Sequence, residues 1–161
     1  MNRRTFTART GILAALLAAA AAPAARACPP SLTVERPSAR LPAGDAGAYV
    51  VVRASHGCHA GPFAVSGSAE GLIDGARRSI ALDLGRADTA GVYRVRRQWP
   101  REGVWVLRFT VTEGDGHATA LVGIGPSGEV ATVREPARSG QVRDVSDADV
   151  AALLRSLAAS S

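Results

Sequence analysis

Short segments in which apolar and polar residues alternate recur along this chain, and they constrain its fold more than any other feature. The pattern is clear at residues 79–84, where Ile80, Leu82 and Leu84 are each separated by one smaller or polar residue. A period of two is typical of a strand with one buried face. Turn residues separate such segments at intervals of roughly 8–12 residues. The sequence therefore predicts an all-β fold, an antiparallel β-sandwich.

Eight strands are predicted in total. They cover residues 31–36, 47–55, 63–68, 79–84, 92–99, 104–112, 117–124 and 129–134. The strands at 92–99 and 104–112 are expected to form a hairpin across the turn from Pro100 to Gly103. Their alternation assigns one apolar set to the core: Tyr93, Val95, Trp99, Trp105, Leu107, Phe109 and Val111. The opposite face of the first strand carries Arg94, Arg96 and Gln98.

A C-terminal amphipathic helix is predicted at residues 147–159. Its apolar residues recur at the spacing of one helical stripe: Val150, Leu153, Leu154 and Leu157. Ser146 is a favourable N-cap residue, and Asp149 lies where an acidic side chain can reach back to it. We expect this helix to pack across the sandwich or its open end.

The first 27 residues have the properties of a cleavable export signal. A basic start is followed by a 12-residue apolar stretch at 11–22, which is too short to span a bilayer, and by a small-x-small site ending at Ala27. Arg3 and Arg4 also resemble the start of a twin-arginine signal, so the Sec and twin-arginine routes both remain open. The protein is expected in the periplasm or secreted.

The expected domain organisation follows from this signal. Residues 1–27 are the signal peptide, residues 28–142 the sandwich, and residues 143–161 the helix packed on it. The mature chain, defined here as residues 28–161, is long enough for one domain with a hydrophobic core and too short for two.

Net charge does not favour a nucleic-acid partner. The chain has 19 basic and 14 acidic residues, but Arg3, Arg4, Arg9 and Arg26 belong to the signal. The mature chain is therefore close to neutral, and no polyanionic partner is expected. We also expect no integral membrane segment after processing. The partner that we expect is another protein of the cell envelope.

Two cysteines, Cys28 and Cys58, belong to the mature chain. In an oxidising compartment an even pair is most simply a disulfide, and a Cys28–Cys58 bridge is predicted. Two alternatives stay open. Cys28 is the first mature residue and is a candidate for lipidation, although Ala25 and Arg26 fit a lipidation motif poorly. Cys58 is alternatively a metal ligand.

The alternative metal site lies at His56, Cys58 and His59. Imidazole and thiolate groups this close in sequence suit copper or zinc, with His117 in a later loop as a further candidate. A disulfide would remove the Cys58 sulfur from such a site. The primary expectation is therefore no cofactor, with copper or zinc as the alternative.

One segment resembles a known family. Asp88-Thr89-Ala90-Gly91-Val92-Tyr93, followed by Trp99-Pro100 and by Gly103-x-Trp105, is similar to a hairpin of bacterial periplasmic immunoglobulin-like modules of the YtkA-like and FixH-like families. The resemblance covers about 25 residues around residues 88–105. It implies an immunoglobulin-like fold. Some such proteins, and the similar CopC-like sandwiches, handle copper through His and Met ligands, whereas the single methionine here is Met1.

Motifs of enzymes are missing from the sequence. It has no G-x-S-x-G, no H-E-x-x-H and no phosphate-binding glycine loop before a helix. We therefore expect no catalytic residues and an exported, non-catalytic binding or accessory module, with the loop at 56–59 as its contact region. The alternative is a periplasmic copper- or zinc-binding protein that uses the same loop.

Overall fold

The computed structural model describes residues 29–36, 47–56, 63–135 and 144–160. Within these residues lie nine strands and one helix. The strands are β1 (Pro30–Glu35), β2 (Val50–His56), β3 (Ala64–Ile73), β4 (Ala76–Ala81), β5 (Gly85–Arg86), β6 (Val92–Val95), β7 (Val104–Glu113), β8 (Gly116–Ile124) and β9 (Val130–Arg134), and the helix is α1 (Asp147–Ala159).

The strands form two antiparallel sheets that pack face to face. The first sheet has the order β1-β2-β6-β5, and the second has the order β4-β3-β7-β8-β9. These orders correspond to strands A-B-E-D and C′-C-F-G of an immunoglobulin domain, with β9 added beyond β8. The predicted all-β sandwich with a C-terminal helix is confirmed.

The core lies between the two sheets, as the alternation predicted. In β7, Trp105, Leu107, Phe109 and Val111 are all fully buried. Opposite Trp105 stands Gly71 of β3, where a Cβ atom would lie 2.5 Å from the indole ring. The indole thus occupies the space that any other residue at position 71 would need.

The predicted hairpin of residues 92–99 and 104–112 is wrong. β6 ends at Val95 and pairs with β2 and β5 in the first sheet, whereas β7 pairs with β3 and β8 in the second. Residues 96–103 carry the chain from one sheet to the other. Alternation could not reveal this, because a hairpin and a crossing between sheets both bury the same face of each strand.

A second crossing divides the strand predicted at 79–84. Its first half belongs to β4, and Leu82 still donates a main-chain hydrogen bond to Gly67 of β3, at 2.9 Å. The chain then passes to the first sheet, where it forms β5. This crossing brings Asp83 beside the first sheet.

Helix α1 has the predicted bounds and covers part of the outer face of the second sheet. Its four buried aliphatic residues pack with Val104, Val106 and Leu121. At the helix start, the Asp149 amide donates to the Ser146 hydroxyl at 3.2 Å, and the Asp149 carboxylate accepts from the Ser146 amide at 3.0 Å. This reciprocal pair is a capping box and explains why the helix begins at this point.

Candidate functional site

The residues of the predicted metal loop and disulfide lie almost entirely outside the described part of the chain. Cys28, Cys58 and His59 are not among the described residues. His56 ends β2, where its main chain is in register with Pro30 of β1. The disulfide and the alternative copper or zinc site therefore stay predictions.

His117, the further metal candidate, lies at the start of β8 and pairs with an acidic residue. Its Nε2 atom is 2.5 Å from Oδ1 of Asp144, which comes two residues before the N-cap of α1. Among the described residues no three His, Cys, Asp or Glu side chains are grouped so that they could hold a metal ion. His117 thus connects the second sheet to the helix start.

A cleft of about 460 Å³ lies at the edge of the first sheet, beside β5 and β6. It is lined by Asp83, Gly85, Arg86, Arg94, Arg96 and Gln98. Three arginines and one aspartate in one concave site make it strongly basic by composition. We take this cleft as the candidate functional site.

Strand β6 and its continuation supply one side of the cleft. Arg94, Arg96 and Gln98 follow at every second position, which is the set that alternation assigned to the solvated face. Arg94 is in register with Gly85 of β5. Because Gly85 has no side chain, β5 places no side chain beside Arg94 on this face of the sheet.

Gln98 holds the other side of the cleft in place. Its Oε1 atom accepts a hydrogen bond from the Asp83 amide at 2.8 Å, and its Nε2 atom donates to the Asp83 carbonyl, also at 2.8 Å. One side-chain amide thus satisfies both main-chain groups of Asp83, as a neighbouring strand would. This pair fixes the crossing from β4 to β5 against the segment that follows β6.

The arginines of the cleft differ from several arginines elsewhere in the fold. Arg53 pairs with Glu35 at 2.8 Å, and Arg108 pairs with Asp147 at 2.7 Å. By contrast, no carboxylate of the described residues forms an ion pair with Arg86 or Arg96, although both line the same cleft. Their positive charge is available to a group from outside.

This cleft could not be predicted from the sequence, for a physical reason. Arg94, Arg96 and Gln98 were recognisable as one polar face, which is ordinarily just solvated. Asp83 and Arg86 line the same cleft because the chain passes to the other sheet after β4. No local sequence pattern indicates such a crossing. The signal that could have drawn attention is the density of arginine in residues 94–97, where three of four residues are Arg.

The chemistry of the cleft is that of anion recognition. A guanidinium group is planar, stays charged and presents paired N–H donors that match the two oxygens of a carboxylate or a phosphate. Such charge-assisted hydrogen bonds are stronger than neutral ones. The arrangement can bind and orient an acidic group.

No helix in the described part of the chain is long and apolar enough to cross a membrane.

Comparison of the sequence with protein-family models and with curated proteins found no match, and comparison with solved structures found none either. The resemblance of residues 88–105 to the YtkA-like and FixH-like modules therefore stays a prediction.

Proposed function

We propose that the mature chain is an exported, non-catalytic binding module that recognises an acidic surface of another envelope protein through the arginine cleft. The observation that carries this proposal is the position of Arg86 and Arg96 in one concave site without an ion-pair partner among the described residues. Isolated exposed arginines are common on protein surfaces. Arginines gathered in a cleft give a partner both charge and shape to match.

The arrangement of the two sheets supports the same conclusion. α1 lies on the second sheet, where it packs with Val106 and Leu121. The cleft lies on the first sheet, at the edge formed by β5. A partner can therefore approach the cleft without displacing the helix.

Rigidity also favours a binding role. Gln98 fixes the Asp83 main chain from both sides, so the cleft wall is already ordered before a partner arrives. A preformed site lowers the entropic cost of association. The loop at 56–59, which the sequence predicts as the contact region, lies mostly outside the described residues, and this proposal rests on the cleft alone.

Charge reversal in the cleft tests the proposal. The partner is first cross-linked to the mature protein in cells and then recovered from the envelope extract. The double variant Arg86→Glu/Arg96→Glu should no longer recover it. The wild-type association should also weaken at about 1 M salt, where charges are screened beyond about 3 Å.

The matched control is Arg101→Glu/Arg155→Glu, which changes net charge equally at two exposed residues outside the cleft. This variant should keep the association. Equal loss in both double variants would show that net charge matters and the cleft does not, and full retention in the cleft variant would contradict the proposal.

A further inference from the structure

Resting on the proposed function, we infer that the cleft takes an extended acidic peptide segment of the partner, which adds as a strand to the free edge of β5 and pairs with the main chain of Arg86. The charge of the cleft favours carboxylates, and the hydrogen-bonding pattern of β5 favours an extended backbone.

The main chain of β5 is directed alternately towards β6 and away from it. The Ala87 amide donates to the Val92 carbonyl of β6 at 2.9 Å. In an antiparallel pair, every second residue exchanges hydrogen bonds with its partner strand. Gly85, two residues before Ala87, therefore also faces β6, whereas the N–H and C=O groups of Arg86 point to the opposite edge.

That opposite edge is open in the described structure. β5 is the last strand of the first sheet, and both of its residues are exposed. An extended segment placed there would form an antiparallel or parallel pair with Arg86, which is the mode of strand addition that many peptide-binding domains use. Because β5 has two residues, main-chain pairing alone gives few hydrogen bonds, and charge must supply selectivity.

The cleft provides that charge. Arg86 and Arg96 line it, and neither forms an ion pair with a carboxylate of the described residues. Side chains on one face of a strand repeat every second residue, at about 7 Å. A segment with acidic residues at alternate positions therefore presents a row of carboxylates on one of its faces. Gly85 leaves the strand between this segment and β6 without a side chain in the row that it shares with Arg94.

The first test uses blocked peptides in which Thr and Glu alternate over seven residues, added to the isotopically labelled mature protein. The main-chain amide of Arg86 should shift in NMR spectra on titration. A peptide with Gln in place of each Glu should bind about tenfold more weakly or worse, because each charge-assisted hydrogen bond becomes a neutral one. A peptide N-methylated at every second residue should lose binding similarly.

A second test removes one main-chain hydrogen-bond donor from the edge of β5. Arg86→Pro removes the outward N–H, which the β5–β6 pairing does not use, and proline is tolerated at such edge positions. Arg86→Ala removes the same side chain and keeps the N–H. The proline variant should bind the Glu peptide several-fold more weakly than the alanine variant, with spectra that show both variants folded.

Some outcomes would overturn this inference and leave the proposed function standing. Equal binding of the N-methylated peptide would show that carboxylates are recognised without strand addition. By contrast, full displacement of the peptide by millimolar inorganic phosphate, or tight binding of anionic phospholipid vesicles, would assign the cleft to a different anion and would contradict the proposed function as well. Failure of every acidic peptide, while the Arg86→Glu/Arg96→Glu variant still loses the partner, would exclude a linear segment.

Discussion

The aromatic rings of Tyr49 and Trp99 meet edge to face, with centroids 5.0 Å apart and planes at 88°. The guanidinium of Arg97 lies 5.9 Å from the centroid of each ring. The Tyr49 hydroxyl also donates a hydrogen bond to the Gly128 carbonyl in the β8–β9 turn. This cluster ties the start of β2 to the crossing after β6 and to the second sheet, so it holds the two sheets together at one end.

Removal of the Tyr49 hydroxyl should loosen this end without dismantling the core. Tyr49→Phe keeps the ring contact with Trp99 and deletes the bond to Gly128. We expect a loss of about 0.5–1.5 kcal/mol in the free energy of unfolding, the usual range for one hydrogen bond. Urea denaturation at neutral pH measures it. An unchanged midpoint would show that the bond contributes nothing to stability.

The same residue should make stability depend on alkaline pH. Burial raises the pKa of Tyr49 above 10.0, nearby Glu129 adds to the rise, and Arg97 opposes it. A raised pKa in the folded state means that stability is fully present below the unfolded value and is lost as pH rises through the folded value. Denaturation midpoints should fall above pH 10 in the wild type, and less steeply in Tyr49→Phe.

Gly71 and Trp105 should show strong coupling. In Gly71→Ala the new Cβ would meet the Trp105 ring at 2.5 Å, and overpacking of this kind costs about 1–3 kcal/mol. The penalty should shrink in a Trp105→Leu background, because the ring is no longer there. Gly85→Ala is the control, since its Cβ would meet only ordinary contact at 3.5 Å. A penalty that is the same in both backgrounds would exclude the steric explanation.

Trp105 itself should be among the most sensitive positions. Its side chain is fully buried, and its Nε1 donates to the Glu102 carbonyl at 2.9 Å. Trp105→Ala should cost about 3–5 kcal/mol in unfolding free energy, as truncation of a large buried aromatic usually does. Chemical denaturation measures this loss. A wild-type midpoint would contradict the burial of the indole.

The cap of α1 should contribute measurably to stability. Ser146→Ala removes the hydroxyl that accepts from the Asp149 amide, and such caps contribute about 1 kcal/mol. Ser156→Ala is a suitable control, because Ser156 is an exposed serine within the same helix. Thermal denaturation should separate the two variants. Equal effects would indicate helix propensity rather than capping.

The Cys28–Cys58 disulfide is a prediction that needs protein isolated after export. Thiol labelling of unreduced, unfolded material should find no free sulfhydryl, and the intact mass should correspond to a chain that starts at Cys28. Two reactive thiols would contradict the bridge and favour the metal alternative at His56, Cys58 and His59. A diacylglycerol adduct at Cys28 would instead identify a lipoprotein.

The sequence predicted the elements whose cause is local. The bounds of α1 depend on residues that are close together in the chain, namely Ser146, Asp149 and the aliphatic stripe. Alternation in β7 also identified the inward side chains correctly. β3 extends beyond its predicted end at residue 68, to Ile73. Glu70 and Gly71 obscured it, because an acidic residue and a glycine are typical of a turn. In the fold, Arg77 neutralises Glu70, and Gly71 accommodates the indole of Trp105.

The pairing of strands and the cleft could not be predicted in the same way. Whether β6 continues into a hairpin or crosses to the other sheet depends on partners far away in sequence, such as β2 and β3. The cleft depends on two residues, Asp83 and Arg86, that reach β6 through such a crossing. Periodicity records which face of a strand is buried and carries no information about its neighbours.

Because α1 lies near the end of the chain, it is synthesised after the strands that it covers. Val104, Val106 and Leu121, which the helix covers, belong to strands that are synthesised earlier. Until the helix arrives, the nascent sandwich presents this apolar surface to its surroundings, and such surfaces promote association. A chain that is cut before Asp144 should therefore retain its two sheets and yet self-associate. The C-terminal segment thus contributes to solubility as well as to stability.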